Sequence, residues 1–271
     1  MRVESLHIYP VKSARGIDLK TSPVEPRGLA GDRRWMIVGA DGRFITQREF
    51  PKLATLQVLP FDGGITLQAD GLAVTEIHVP GGDSRLDATV WRDTVNAAFA
   101  DNAAVLSAWM ERDVRLVYMD DQAARSANPK YTIGKPQSPV SFADGYPVLI
   151  TNTASLRALN ALILSGGGAA VPMSRFRPNI VIDSDQAWAE DDWKTLTIGE
   201  AVLELVKPCT RCVMTTLDQA SGEKQGREPL QALRTLRTST DPEIEGVLFG
   251  WNAVVRAEGS VTVGDAVELM A

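Results

Sequence analysis

Apolar and polar residues alternate with period two along much of the first third of the chain. Leu6-His7-Ile8-Tyr9-Pro10-Val11, residues 34–38 and residues 54–59 all carry this pattern, which predicts strands with one buried face. Asp41-Gly42 and Asp62-Gly63-Gly64 are hairpin-type turns between them. Further strands are predicted at 64–67 and 75–79, and another near 87–91. The period then lengthens: Ala103, Leu106, Trp109 and Met110 recur at helical spacing behind Asp101, which can cap a helix. Residues 114–119 return to a strand pattern. Residues 120–139 are polar and punctuated by Pro and Gly, which predicts a long loop and a boundary between an N-terminal module, 1–120, and a C-terminal domain, 121–271.

The second half opens with a strand at 147–150. Thr151-Asn152-Thr153 can start a helix with Leu156, Leu159 and Ile163 on one face, ended by Gly166-Gly167-Gly168. Strands are predicted at 179–183, at 196–197 and 201–206 around the turn Gly199-Glu200, and at 213–217. Residues 218–226 form a polar loop, and 228–236 a short helix with Leu230, Leu233 and Leu236 inward. Residues 246–270 alternate through turns at Glu258-Gly259 and Gly264-Asp265. Many short strands with a few helices predict a β-rich α+β protein built on barrels rather than a doubly wound sheet. No internal repeat, low-complexity segment, G-x-G-x-x-G or P-loop motif is present.

Composition narrows the function. The chain of 271 residues is 44% hydrophobic and 23% charged, ordinary for a globular protein able to bury a sizeable core. Its formal net charge of −6 argues against nucleic-acid polymers as partners. No apolar run is long enough to span a bilayer, so no membrane partner is expected. Met1-Arg2-Val3-Glu4-Ser5-Leu6 begins an alternating strand at once and has no secretory pattern. Two cysteines do not make a disulfide framework, which points to a reducing cytoplasm. The two histidines, His7 and His78, both sit in strand-like runs, so a histidine-based triad or metal site has little to draw on.

Both cysteines lie in Lys207-Pro208-Cys209-Thr210-Arg211-Cys212. A thiolate is the softest ligand a protein offers, and neighbouring cations favour it. A structural zinc site needs four ligands, and this chain concentrates only two. A thioredoxin-type pair opens a helix, whereas 213–217 reads as strand. Two buried structural thiols, or a single thiolate on a soft metal with the second cysteine in support, remain open. Arginines also cluster at strand edges. Lys12-Ser13 follows one strand, Asp32-Arg33-Arg34 precedes another, and Arg177 and Asn179 flank Pro178 so that both point the same way in an extended chain. Planar guanidinium forks suit phosphate oxygens.

Five segments carry a resemblance. Tyr9-Pro10-Val11-Lys12-Ser13, Gly31-Asp32-Arg33-Arg34-Trp35, Phe142-Ala143-Asp144-Gly145-Tyr146-Pro147, Arg175-Phe176-Arg177-Pro178-Asn179-Ile180-Val181 and Cys209-Thr210-Arg211-Cys212-Val213-Met214-Thr215-Thr216 follow one another as in MOSC-domain proteins with an N-terminal β-barrel module. Nearly the whole chain is similar to the group of amidoxime-reducing components and their bacterial counterparts. The resemblance implies a MOSC β-barrel domain packed on an N-terminal β-barrel-like module with a few helices, and a molybdenum cofactor (molybdopterin with Mo) in the cleft between them. By motif, Cys212 would be the metal ligand and catalytic residue. Lys12, Ser13, Arg33, Arg177 and Asn179 would hold the cofactor, mainly its phosphate, with Asp144, Gly145, Tyr146 and Thr210 at further cofactor positions. Cys209 is not required as a ligand.

The implied activity is reduction of small N-hydroxylated substrates, such as amidoximes, hydroxylamines and N-hydroxylated nucleobases, to amines or amidines. The chain has no cysteines to spare for an iron–sulfur domain of its own, so a separate electron-donor protein is expected: a flavoprotein, a haem carrier or an iron–sulfur carrier. The alternatives are a non-catalytic module carrying the molybdenum cofactor or sulfur, and a C-x-x-C thiol oxidoreductase. Pyridoxal phosphate binding attaches to such domains by association only. A pyridoxal enzyme needs a Schiff-base lysine and a dedicated domain, for which this length leaves no room.

Overall fold

The computed structural model describes residues 1–100, 103–132 and 137–270. Its largest sheet has eight strands in the order β18 (Glu268–Met270), β14 (Thr195–Ile198), β15 (Ala201–Arg211), β16 (Val247–Ala257), β12 (Val148–Asn152), β13 (Ile180–Asp183), β1 (Arg2–Ile8) and β2 (Ile17–Leu19). Neighbours are antiparallel except β12 and β13, which pair in parallel with Ile150 opposite Ile180. A parallel pair needs a crossover, and helix α2 (Thr153–Ser165) supplies it. Asn152 ends β12 and caps α2, its side chain accepting from Ala154 N at 2.9 Å.

Three smaller sheets complete the molecule. One runs β17 (Gly259–Thr262), β3 (Thr21–Glu25), β4 (Gly28–Leu29). Another runs β5 (Trp35–Gly39), β11 (Val114–Tyr118), β10 (Asp93–Ala100), β9 (Arg85–Val90). The last is the meander β6 (Gln57–Phe61), β7 (Gly64–Ala69), β8 (Leu72–His78). The β-rich α+β architecture read from the sequence is present. The hydrogen-bond ladder of no described sheet returns to its first strand, so its barrels are open. Strand pairing also crosses residue 120: β1 and β2 extend the eight-stranded sheet, and β3 pairs with β17.

The burial pattern explains these layers. Leu6, Ile8, Val24, Ile150, Ile182, Leu203, Ala253 and Val261 close one core between the eight-stranded sheet and the β17–β3–β4 sheet. β5 is buried along its whole length. Trp35 and Ile37 face a core with Leu53 from the 3-10 turn at 51–55, Leu67 and Ile77 from the meander and Leu106 from helix α1 (Ala104–Met110), while Met36 and Val38 face Val90, Val117 and Phe142. A strand covered on both faces reads as an unbroken apolar run, as Trp35-Met36-Ile37-Val38 does.

Several expectations shift. Residues 51–55 form a 3-10 turn opened by Pro51, so the strand expected from 54 begins at 57. β10 is additional; its alanines weaken the strand signal, but β9 holds it through a two-residue turn at Trp91-Arg92. Asp101, expected as a cap, lies outside the described residues, and α1 starts behind Ala103. Residues 213–216 are a 3-10 turn, not a strand, because Thr215 and Thr216 hydroxyls donate to the carbonyls of Cys212 and Val213, at 2.9 and 2.7 Å. In helix α3 (Leu230–Leu236), Leu233 is buried but Leu236 is 42% exposed, since the seven-residue helix packs only one turn against α2 and β16.

Gly28 packs β4 against Pro147, the residue that enters β12. Its φ is +101°, and an added Cβ would lie 2.5 Å from the Pro147 carbonyl oxygen. Gly28→Ala is expected to cost about 2–4 kcal/mol, a left-handed backbone plus overpacking. Gly63→Ala, at φ +83° with nothing within 4 Å, should cost about 1–2 kcal/mol from the backbone alone. Urea unfolding midpoints of the two variants measure the difference, and equal losses would remove the packing role assigned to Gly28.

Candidate functional site

One cleft gathers Lys12, Ser13, Arg33, Asp144, Gly145, Tyr146, Arg177, Asn179, Thr210 and Cys212, residues that the sequence singles out from five separate segments. It encloses about 810 Å³, counting its open mouth. Lys12 and Ser13 come from the turn after β1, Arg33 from the approach to β5, and residues 144–146 from the loop before β12. Arg177 and Asn179 precede β13, Thr210 lies at the end of β15, and Cys212 follows that strand directly.

Three of these residues hold left-handed backbone that side chains disfavour: Ser13 at φ +67°, Arg33 at +47° and Arg177 at +53°. Local hydrogen bonds hold the turns. Lys12 N donates to Trp35 O and Arg33 N to Tyr9 O, at 2.8 and 2.9 Å, and Tyr9 N donates to the Asp32 carboxylate at 2.8 Å. The strain fixes the directions of these side chains at a cost of about 1–3 kcal/mol each.

The cations are largely desolvated. Lys12 is 4% and Arg177 8% exposed. Lys12 Nζ donates to Phe142 O at 2.7 Å and to Asp144 Oδ1 at 2.5 Å. Burial lowers the Lys12 pKa below the usual ammonium value, and Asp144 opposes that shift. On Asp144 itself desolvation pulls upward, but Lys12 holds the carboxyl well below the usual range. The Asp144 side chain is 66% exposed, so the Lys12 contact rather than burial sets the direction. Arg33 Nη1 donates to Asp32 Oδ2 at 2.6 Å and to Asn179 Oδ1 at 3.2 Å.

The buried ring of Tyr9 ties the two arginines together. The guanidinium of Arg177 lies 4.1 Å and that of Arg33 4.5 Å from its centroid. Burial pushes the Tyr9 phenol up to about 12, against the pull of both cations, so it stays a neutral donor to Pro178 O at 3.0 Å. Burial brings Arg177 down to about 10, still charged at neutral pH. Arg177 Nη1 donates to Gln219 Oε1 at 2.9 Å, while its Nη2 is buried with no partner. An orphaned guanidinium nitrogen in a cleft is a ready donor for an anion.

The two thiols are free and half-buried. Each faces an arginine: Arg48 Nη2 lies 3.1 Å from Cys212 Sγ, and Arg211 Nη1 2.9 Å from Cys209 Sγ. Sequence reasoning missed Arg48, which also covers the Trp91 ring at 4.8 Å. It missed Trp91, whose Nε1 donates to Asp144 Oδ1 at 3.2 Å from the left-handed β9–β10 turn. Arg125 was also missed. It is buried in the expected loop, salt-bridged to Asp93, and donates to the carbonyls of Ser141, Ala143 and Asp144, which fixes the loop that carries Asp144. A lone arginine in a polar loop gives no local signal of such a role. His7 pairs with Asp18, and His78 packs on Phe61; neither lines this cleft.

Asp144→Asn removes the charge opposite the Lys12 ammonium while keeping a side-chain oxygen that can accept from it. The expected loss at pH 7 is about 1 kcal/mol, discounted for the exposure of Asp144. A depressed carboxylate pKa gives stability that is complete above the unfolded value near 4 and fades as pH falls below it. The gap between wild type and variant in urea unfolding should therefore narrow from about pH 4 downward. A gap that does not change with pH would exclude the ion pair as its source.

Comparison with known proteins gives a consistent set of matches. The description "MOSC N-terminal beta barrel domain" matches residues 1–114, and "MOSC domain" matches residues 137–268. The mitochondrial amidoxime reducing component 2 of Bos taurus is 31% identical over 99% of this chain and 83% of its own length. The mitochondrial amidoxime-reducing component 1 of Xenopus laevis is 30% identical over 98% of this chain and 81% of its own. The molybdenum cofactor sulfurase of Oryza sativa subsp. japonica is 28% identical over 97% of this chain, a match that spans 34% of the sulfurase.

Proposed function

This chain belongs to the family of MOSC-domain proteins that carry the MOSC N-terminal beta barrel domain, and on that premise we propose that it is a molybdenum-cofactor-dependent reductase of N-hydroxylated compounds. The observation that carries the reading is the company Cys212 keeps. A half-buried thiol shares one cleft with the buried cations Lys12 and Arg177, and Arg177 has an unpartnered Nη2.

The donor set fits the cofactor. No group of three or more His, Cys, Asp or Glu among the described residues could hold an ion, so a metal here needs most of its ligands from an organic group, with one soft protein sulfur to complete them. Cys212 Sγ would be that sulfur. Arg177, Arg33 and Lys12 would neutralise the phosphate, Arg177 through its free Nη2. Asn179 is already engaged, with Oδ1 accepting from Leu149 N and Arg33 and Nδ2 donating to His7 O, so it would act by orienting Arg33. Gly145, Tyr146, Thr210 and Ser13 would supply the wall and backbone contacts.

When bound, the cofactor supplies two-electron chemistry able to take oxygen from nitrogen. The chain's part is to orient the group, keep its charge matched and leave the cleft mouth open to a small substrate. Amidoximes, hydroxylamines and N-hydroxylated nucleobases are the proposed substrates, with electrons from a separate carrier protein. The proposed division into modules 1–120 and 121–271 puts the cofactor between them, and cleft residues drawn from 12–48 and 143–252 support it.

Metal and pterin analysis of protein made in a cofactor-competent host tests this. Wild type and Cys209→Ala should carry molybdenum near one equivalent, and Cys212→Ala should lose it. Benzamidoxime reduction with an artificial dye donor should follow the metal. Arg177→Ala should weaken pterin retention about 10- to 100-fold, the worth of a charge-assisted hydrogen bond. Wild-type protein that carries neither metal nor pterin, or equal loss from both cysteine variants, would defeat the assignment.

A further inference from the structure

We infer that a second groove reaching Cys212 is the docking surface of a small acidic electron carrier; this rests on the reductase reading above. The groove is lined by Cys212, Val213, Lys224, Arg227, Leu230 and Arg234, with Arg211 at its edge. Cys212 is thus shared between this groove and the cofactor cleft. A redox centre seated here would lie one side chain away from the sulfur proposed to hold the metal.

The charge pattern points to the partner. The chain carries a formal net charge of −6, yet this groove collects cations. Arg211 is engaged, donating to Phe176 O at 2.7 Å and to Cys209 Sγ. Lys224, Arg227 and Arg234 are exposed and form no ion pair among the described residues. The nearby acids are turned elsewhere: Glu228 accepts from Ala232 N at 3.0 Å, Asp218 holds the 218–221 turn and faces Arg175, and Glu223 does not line the groove. The same groove is lined by Val213, 44% exposed, and by half-buried Leu230. A few apolar side chains beside unpaired charges of one sign suit a short-lived complex with a partner of the opposite sign, in which charge steers the encounter and the contact area stays small.

The reaction balances with such a carrier. Cleavage of the N–O bond of R–NHOH consumes two electrons and two protons and yields R–NH2 and water. Two reduced one-electron carriers are each oxidised by one electron, or one flavin hydroquinone by two, and the protons come from solvent.

Stopped-flow measurement with metal-loaded protein, benzamidoxime and a prereduced, desalted acidic two-iron ferredoxin as the probe tests the surface. The bleached ferredoxin absorbance should recover in a second-order step that slows as ionic strength rises. Arg227→Glu and Arg234→Glu should each slow that step about tenfold at low salt, Arg227→Gln should fall between, and all should converge at high salt. Dye-driven benzamidoxime reduction and pterin content should be unchanged in these variants. Ferredoxin oxidation that ignores charge reversal, or that fails while the dye reaction proceeds, overturns the docking surface. Loss of pterin from Arg227→Glu also overturns it, since the groove would then hold the cofactor. A wild-type protein inactive with the dye sinks the reductase reading itself, a separate failure.

Discussion

The architecture around the cleft depends on keeping several cations out of water in one place. A buried charge is costly unless it is paired or hydrogen-bonded. Lys12, Arg33 and Arg177 come from three separate segments, and the carboxylates beside them are Asp32 and Asp144. The aromatic face of Tyr9 takes two of the guanidiniums, and the side-chain oxygens of Asn179 and Gln219 take further N–H groups. These partners do not complete the match: Arg177 keeps an orphaned nitrogen. A pocket with surplus positive charge in a chain of net charge −6 focuses its field on anions.

The same constraint explains how much of the backbone serves the cleft. Ser13, Arg33 and Arg177 adopt left-handed conformations that a loop free to relax would abandon. Arg125 fastens the 141–144 carbonyls, and Gln47 donates to Ser13 O at 2.7 Å while also meeting Gln219. The Gln47–Gln219–Arg177 chain links the early and late parts of the sequence by side chains alone. Rigidity here is a property of the polar network as much as of the apolar layers beneath it.

The sequence made the strand-edge motifs legible because each combines a local backbone feature with a chemically specific side chain. Lys12-Ser13, Asp32-Arg33 and Arg177-Pro178-Asn179 are such cases, and each contributes at least one side chain to the cleft. The β-rich pattern was legible for the same reason, since alternation is local. What stayed hidden depends on tertiary approach. Arg48 meets Cys212 across 164 positions, and Trp91 reaches Asp144 only because a turn forces it into left-handed backbone. The residues after Cys212 carry a strand's composition, but two threonine hydroxyls bonding backward close them into a 3-10 turn. Leu236 has the right spacing for burial and no neighbour to bury it.

β1 leaves the ribosome well before β13, with which it pairs where Leu6 meets Ile180. Translation adds about 5–20 residues per second, so that partner emerges about 10 to 30 seconds later. During this interval Lys12 and Ser13 have no β13 beside which to take up their places. The cleft is consequently a late event in the life of each nascent chain, and the turn after β1 settles long after it is made.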